Sequence, residues 1–518
     1  MSSLSKSVAV FGGYTMLSRI TGFVRDLLIA KYIGAGMVAD AFFMALRFPN
    51  LFRSMFAEGT FNVSFVPIFS SKLAVNDKDG ALDFANRAFS LLFYMLTTFI
   101  IILELLMPFM IFMFAPGFSK DKEKLDLTIE LTRITFPFLL FISIVSLQSG
   151  ILNSFSKFAA SAFSPTIINL TMISVLLVSS KFSNDYAHYL SFGLIFAGII
   201  EVIWLHHFLK KEGVLLKLKK FGKEIFSDDV LTLLKRTGPG IVGAGIYQIN
   251  LFVDTFFVSF LEKGSVSWLY YATRLFQLPI GVLGASMAVA LLPMLSKQLA
   301  SKNFGEANKT MNKSIIFMAI ISIPAVVGMA LLSKEIIMVL FERGSFTIND
   351  VLPTAYALTA LAFGLPSAVI NKTLTTRFFA IGDTKTPVKV AVITLIMNVV
   401  LNFVLMKFLG HVGIALATSI SSSFGCVAYF YLLRKNKMLN FEGNFLSVLL
   451  KTIFASVLMG CFIKFALIYL NSEWLEKSYR LFVLGGIISV AGLIFLATII
   501  VTKVISINQF KKLIIKEK

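Results

Sequence analysis

About fourteen apolar runs, most of them long enough to cross a bilayer as a helix, divide this chain at charged breaks. They lie near 8–31, 37–70, 84–114, 128–155, 159–180, 187–208, 236–261, 265–296, 314–333, 352–380, 387–408, 411–434, 449–470 and 481–504. A spanning helix needs roughly 20 mostly apolar residues, and no soluble fold has use for so many in series. Composition agrees: 57% of residues are hydrophobic and 15% charged, against about 45–50% and about 25% in soluble domains. The fold class this predicts is an all-α polytopic membrane protein. The second run holds Pro49 and Pro67, which predicts a bent or broken helix there. The N-terminal MSSLSKSVAV shows no small-residue cleavage site, so the first run reads as a retained helix.

The formal net charge of +20 would suggest nucleic acid on a soluble protein. Here the positive-inside bias is the simpler cause, and no nucleic-acid partner is expected. Connections after the sixth, eighth and tenth runs carry Lys210, Lys211, Lys217, Lys219, Lys220, Lys223, Lys235 and Arg236, then Lys297, Lys302, Lys309 and Lys313, then Lys385 and Lys389. The tail carries Lys511, Lys512, Lys516 and Lys518. That pattern predicts both termini on the cytoplasmic side. The basic stretch from Lys210 to Lys223 reads as an amphipathic helix on the cytoplasmic headgroups.

An internal repeat runs through the chain. Val66-Pro67-Ile68-Phe69-Ser70 resembles Leu292-Pro293-Met294-Leu295-Ser296, and Phe42-x-x-Ala45-x-Arg47 echoes Leu269-x-x-Ala272-x-Arg274. Ser164-Pro165 opens a run as Thr386-Pro387 does, and the offset stays near about 225 residues. The copies share one orientation, so two parallel six-helix lobes are expected, with two C-terminal helices outside the repeat. The expected divisions are 1–210 for the first lobe, 211–235 for a basic cytoplasmic connection, 236–438 for the second lobe, and 439–518 for the last two helices and tail. Two such halves suggest alternating access about a site between them.

The chemistry lies in charged residues inside apolar runs. The first run contains Ser18, Arg19, Gly22, Arg25 and Asp26; the second contains Asp40, Arg47, Asn50 and Arg53, followed by Glu58. An arginine at the bilayer centre costs about 2.5–3.5 kcal/mol on insertion scales, so a series of them must face water, a partner or a substrate. Arg19 and Asp26 are seven apart and share a helix face, with Gly22 between them narrowing it. Asn50 and Arg53 are neighbours at i, i+3. The eighth run adds Arg274, preceded by Ser267. Guanidinium binds phosphate oxygens in pairs, so Arg25, Arg53 and Arg274 together read as an anion site for a diphosphate-like group. A single snorkelling or ion-paired arginine would be ordinary; the series is what argues for a substrate.

A second set comprises Asp254 in the seventh run, Asn398 and Asn402 at i, i+4 in the eleventh, and Thr418 in the twelfth. A carboxylate with amide and hydroxyl oxygens suits a sodium ion; a proton on Asp254, or plain interhelical bonding, uses the same residues. Four scattered histidines and two cysteines in apolar runs give no other metal spacing and no disulfide framework. No Gly-Lys nucleotide loop, His-Glu metal helix or nucleophile elbow is present, so neither ATP hydrolysis nor other catalysis within this chain is expected. A membrane glycosyltransferase would need catalytic carboxylates in a sizeable loop, and a drug/cation antiporter would need an acid-rich cavity.

The stretch Ser18 to Asp26, with Gly34-Ala35-Gly36, Asp40-Ala41-Phe42-Phe43, Pro49-Asn50-Leu51-Phe52-Arg53 and Phe56-Ala57-Glu58-Gly59, resembles the N-terminal signature of the MurJ (MviN) family. Ala115-Pro116-Gly117-Phe118, Ser267 to Arg274, and Asp383-Thr384-Lys385-Thr386-Pro387 fit it as well. The resemblance implies a lipid II flippase of peptidoglycan synthesis in the bacterial inner membrane. It belongs with the multidrug/oligosaccharidyl-lipid/polysaccharide exporters, and an exporter of another lipid-linked polysaccharide or of drugs is the alternative within that superfamily. The family's cavity arginines fall on Arg19, Arg25, Arg53 and Arg274. Its other sensitive positions fall on Ser18, Gly22, Asp26, Asp40, Asn50, Glu58 and Ser267. Thr273 stands where many members place an acid, and Ser54 where a second arginine often follows Arg53. Lipid II and membrane lipids are the expected partners, with other cell-wall synthesis proteins beside them and a monomer as the working unit. The last two helices are expected to flank the lipid tail.

Overall fold

The computed structural model describes residues 3–56, 60–441, 445–470 and 479–504, without the side chains of 3–11, 54–56, 60, 238–247 and 282–290. Among the described residues the ordered elements are α-helices, one 3-10 turn at Pro116–Lys120 and a lone bridge between Arg343 and Phe346. The all-α class is as expected. Contacts divide the chain into two compact units, Met1–Ser267 with Arg343–Phe346, and Trp268–Glu342 with Thr347–Lys518. This division groups helices by contact, whereas the lobes above group them by sequence repeat.

The first unit holds α1 (Ser3–Ile33), α2 (Met37–Phe56), α3 (Thr60–Ala74), α4 (Lys78–Leu105) and α5 (Met107–Phe114). It continues with α6 (Lys122–Thr135), α7 (Phe138–Ser154), α8 (Phe158–Ser179), α9 (Tyr186–Lys211) and α10 (Asp228–Val258). α1 packs on α8, α8 on α9, α7 on α9, and α2 on α6. Phenylalanines make much of the core: Phe61, Phe65 and Phe69 stack in a ladder along α3, and Phe84 of α4 stacks on Phe65 at 5.2 Å.

α11 (Ser265–Ala300) begins at the end of the first unit. The second unit continues with α12 (Phe304–Leu331), α13 (Ser333–Phe341), α14 (Ile348–Ala362) and α15 (Leu365–Ala380). α16 (Lys385–Lys435), α17 (Phe445–Leu470) and α18 (Arg480–Val501) complete it. Its core gathers Met311, Ile315, Leu374, Phe378, Val390 and Tyr429.

Each apolar run of the sequence contains helix. Nine helices among the described residues are long and apolar enough to cross a membrane, and α1 and α2, which carry the arginine series, are not among the nine. The 51-residue α16 holds two of the runs; they part at Gly410, whose φ of 54° and ψ of −133° fit glycine and no L side chain. Pro49 and Pro67 lie inside α2 and α3, and the helix ends fall between them, at Phe56 and Thr60. Helix starts are chemically marked: Asp77 caps α4, Asn303 caps α12, and Thr347 with Asp350 forms a capping box on α14.

One expectation is corrected. Residues 214–227 are not helical. Asn86 accepts from Lys217 N, Ser90 Oγ accepts from Lys219 N, and Tyr94 donates to Lys219 O, so the segment's backbone is satisfied by polar side chains along α4. Lys219 and Arg87 both pair with Asp83. Of the lysines read as a headgroup helix, Lys219 pairs with Asp83 and Lys217 is held through its backbone, both on a protein surface that charge patterning alone does not reveal.

Candidate functional site

Asp26 is 3% exposed, and its partner is Arg25, not Arg19. Arg25 donates from Nε (3.1 Å) and Nη2 (2.8 Å) to Asp26 Oδ1, and from Nη1 to Asn169 Oδ1 at 3.0 Å. Asn169, on α8, donates in turn to Ser18 O at 2.9 Å and to Thr21 Oγ1 at 3.3 Å. Gly22 explains how α8 comes so close: a Cβ there would lie 3.3 Å from Asn169 Nδ2. A carboxylate and a carboxamide therefore fix the guanidinium plane. Nη1 also reaches Met172 Sδ at 4.0 Å, so of the five N–H groups an arginine carries, one on Nη2 is left for an anion. Arg19 is exposed and Ser18 half-buried on the same helix.

α2 divides its polar residues between two tasks. Asp40, wholly buried, accepts from Lys124 Nζ (2.7 Å), Gly264 N (2.8 Å), Ser267 N (2.9 Å) and Ser267 Oγ. The Lys124 side chain is 4% exposed and lies 4.1 Å from the centre of the Phe118 ring. Asp40 thus clasps α2 to α6 and to the start of α11, and Ser267 spends its hydroxyl on that clasp. Farther along, Arg47 donates to Thr255 on α10. Asn50 is exposed and bonds back to Leu46 O at 2.8 Å. Arg53 is half-buried near the end of α2. Glu58 lies outside the described residues.

In the second unit, Arg274 lies over Tyr270, 4.7 Å from the ring centre, and donates from Nη2 to Tyr270 OH at 2.7 Å. One turn of α11 so pre-orients the guanidinium. Asn398 and Asn402 are buried at 1% and 0% exposure, and Asn402 Nδ2 donates to Asn398 Oδ1 at 3.0 Å. Thr418 Oγ1 bonds back to Ile414 O at 3.2 Å. Asp254 is half-buried on α10 in the first unit. The donor chemistry suits a hard cation, although the recorded bond uses Asn398 Oδ1 as an acceptor. No group of three or more His, Cys, Asp or Glu side chains that could hold a metal occurs among the described residues.

Two residues of this machinery, Asn169 and Lys124, escape a reading of the sequence. Their partners lie 144 and 84 residues away, beyond any helical period. The available signals were weak ones: a carboxamide within the apolar α8, and a lysine among the mixed charges that open α6.

A bundle of apolar helices with arginines fixed among them defines a polytopic membrane protein. Its fold is that of a multidrug resistance MATE transporter of the MOP superfamily in an inward-facing conformation, with a TM-score of 0.66 at 14% identity over 83% of this chain and 97% of that one. The family "Lipid II flippase MurJ" matches residues 29–485, and the chain belongs to that family. The "Probable lipid II flippase MurJ" of Rhizobium tropici is 37% identical over 91% of this chain and 88% of its own length. That of Rickettsia prowazekii is 35% identical over 98% of this chain and 100% of its own length. A solved lipid II flippase MurJ in an inward closed conformation superposes with a TM-score of 0.79 at 29% identity, covering 95% of this chain and 98% of that one.

Proposed function

We propose that this protein carries lipid II from the cytoplasmic to the periplasmic leaflet of the bacterial inner membrane by alternating access, with both termini in the cytoplasm. Arg25, Arg53 and Arg274 bind the diphosphate, and Arg19, Ser18 and Asn50 line its path. Asp26 and Gly22 shape the cavity by holding Arg25. Asp40, with Ser267 and Lys124, is a latch whose bonds stabilise one state, and Glu58 belongs to the same gating set. The observation that carries the reading is the Arg25 constellation in a chain of this family: a guanidinium held rigid inside a membrane helix is costly unless an anion uses it.

The role is transport, not catalysis. Only the polar headgroup needs a water-lined route, while the isoprenoid tail stays in lipid along α17 and α18. Those helices expose Phe465 (66%), Tyr469 (79%), Phe482 (80%) and Leu493 (64%), a surface suited to acyl chains. Coupling to the membrane potential, or to a sodium ion or proton at Asp254 with Asn398, Asn402 and Thr418, supplies the driving force. The working unit is a monomer, acting beside other cell-wall synthesis proteins. The test is single replacement of Arg25, Arg53 and Arg274 by Ala in cells depleted of their own flippase. Loss of growth and of lipid II translocation is expected; normal growth and translocation in all three would defeat the proposal. For the cation, Asp254→Asn should abolish sodium-dependent thermal stabilisation, and no change would remove that part.

A further inference from the structure

On α6, Asp126, Glu130 and Arg133 follow one another at i, i+4 and i+7, so they share one helix face. All three are exposed. With Ile129 and Ile134 of α6 and Phe192 of α9 they line an open groove of about 570 Å³ within the first unit. None of the residues assigned above to the substrate or its gates lines it. Glu130 and Arg133 are near enough along the helix to pair with each other. Yet the Arg133 and Asp126 side chains make no ion pair or hydrogen bond among the described residues. Glu130 Oε1 stands 3.3 Å from Nε2 of His188 on α9, and His188 Nδ1 is fixed by Asp185 Oδ1 at 2.7 Å. Glu104 of α4 feels the Arg133 charge without bonding to it. The groove therefore holds an unengaged guanidinium at one level and two carboxylates farther along.

Helix length sets the depth of these levels. α6 and α7 form one span of 33 residues from Lys122 to Ser154, about 50 Å at about 1.5 Å per residue. The hydrocarbon core is about 30 Å thick, so roughly 20 Å of the span stands clear of it. α7 carries no charged residue and α6 carries six, so the excess lies at the α6 end. About 20 residues counted back from Ser154 end near Thr135, which puts Arg133 at the hydrocarbon boundary. Glu130 and Asp126 lie about 5 and about 10 Å farther out. A phospholipid presents the matching order, with its phosphate near that boundary and the rest of its headgroup beyond.

We propose that this groove binds the headgroup of a phospholipid that carries a primary ammonium beyond its phosphate, a phosphoethanolamine lipid. Arg133 donates to the phosphate, and Glu130 and Asp126 accept from the ammonium. Ile129, Ile134 and Phe192, the last 61% exposed, give apolar walls to the start of an acyl chain. The leaflet is the one at the α6 end, which the topology proposed above makes the periplasmic one. Two carboxylates beside one guanidinium disfavour an anionic headgroup, which brings no cation for them. A quaternary headgroup brings a cation but no N–H to donate. An arginine that merely snorkels to any passing phosphate would act alone and draw none of these distinctions.

The experiment is titration of the full-length protein in detergent micelles with phosphatidylethanolamine, phosphatidylcholine and phosphatidylglycerol of identical acyl chains, with bound lipid counted by native mass spectrometry. Wild type should retain the first phosphatidylethanolamine about two- to fivefold more tightly than either other lipid, the range an exposed ion pair supports. Glu130→Gln combined with Asp126→Asn should erase its advantage over phosphatidylcholine, and Arg133→Gln should weaken both of these lipids. Equal retention of the three lipids by wild type overturns the proposal, as does a preference for phosphatidylglycerol. A phosphatidylethanolamine preference that survives the double replacement overturns it too. Should a variant fail to fold, the comparison of the three lipids on wild type decides. Lipid II takes no part in the titration, so failure here leaves the transport reading standing, and failure of transport leaves this result standing.

Discussion

Replacing Lys124 by Met is a sharp test of the clasp around Asp40. The variant keeps the apolar stem and removes a cation held 2.7 Å from a carboxylate that is wholly buried. Breaking a buried pair by removing one partner costs about 3–5 kcal/mol, because the other charge stays buried. The backbone N–H groups of Gly264 and Ser267 and the Ser267 hydroxyl still bond Asp40, which places the loss toward about 3 kcal/mol. Loss of the Lys124–Phe118 contact adds about 0.5–2 kcal/mol. Asp40→Ala should cost a similar amount, since it strands Lys124 and the same backbone donors. The double variant should lose clearly less than the two single losses combined, because each change removes the charge the other leaves behind. Reversible unfolding in mixed detergent micelles measures all three. Strict additivity, or a Lys124→Met variant as stable as wild type, would refute the reasoning.

Other outcomes follow from the same geometry. Gly34 has φ of +76° and a Cβ there would lie 2.3 Å from Ser345 O, so Gly34→Ala should cost at least about 1–2 kcal/mol for the left-handed backbone. It should also break the 2.8 Å bond from Ser345 N to Lys31 O, visible as faster hydrogen exchange at that amide. Asn169→Ala removes a bond to a charged group, worth about 1.5–3 kcal/mol, and should impair lipid II translocation while leaving the protein in the membrane. Asp383, between α15 and α16, accepts from the Thr386 hydroxyl and from the N–H groups of Thr386 and Lys385. The Thr386 hydroxyl first, and then these amides, hold its carboxyl below the usual carboxylate range. Its contribution is therefore complete above the unfolded-state pKa and is lost only as pH falls through the lowered value. Asp383→Ala should cost about 0.5–2 kcal/mol at the start of α16 and speed exchange at Lys385 and Thr386, an effect that fades in strong acid.

The sequence alone carries the helices well and the partners poorly, and the reason is physical. Apolar length favours helix wherever it occurs, so each run from 8–31 to 481–504 contains helix, although only nine helices among the described residues are long and apolar enough to cross a membrane. Gly410 could be read as a separator between two runs, because a charged or glycine-marked break is local. The pairings of Arg25 with Asn169 and of Asp40 with Lys124 depend on which helices are neighbours, which periodicity does not encode. The face shared by Arg19 and Asp26 was sound helical geometry. Arg25 took the carboxylate nonetheless, since a long flexible stem lets a guanidinium reach the adjacent residue. The lysines of residues 214–227 mislead for a related reason: their positive charge is plain, but the polar ridge of Asp83, Asn86 and Ser90 that receives Lys217 and Lys219 lies on another helix.

The most direct test of the central claim is equilibrium binding of purified wild-type protein to lipid II and, separately, to undecaprenyl phosphate. If fixed arginines recognise a diphosphate carrying a sugar headgroup, lipid II binds, the single-phosphate carrier binds far more weakly, and Arg25→Ala removes the difference. Equal binding of the two lipids, or a preference that survives Arg25→Ala, would contradict it.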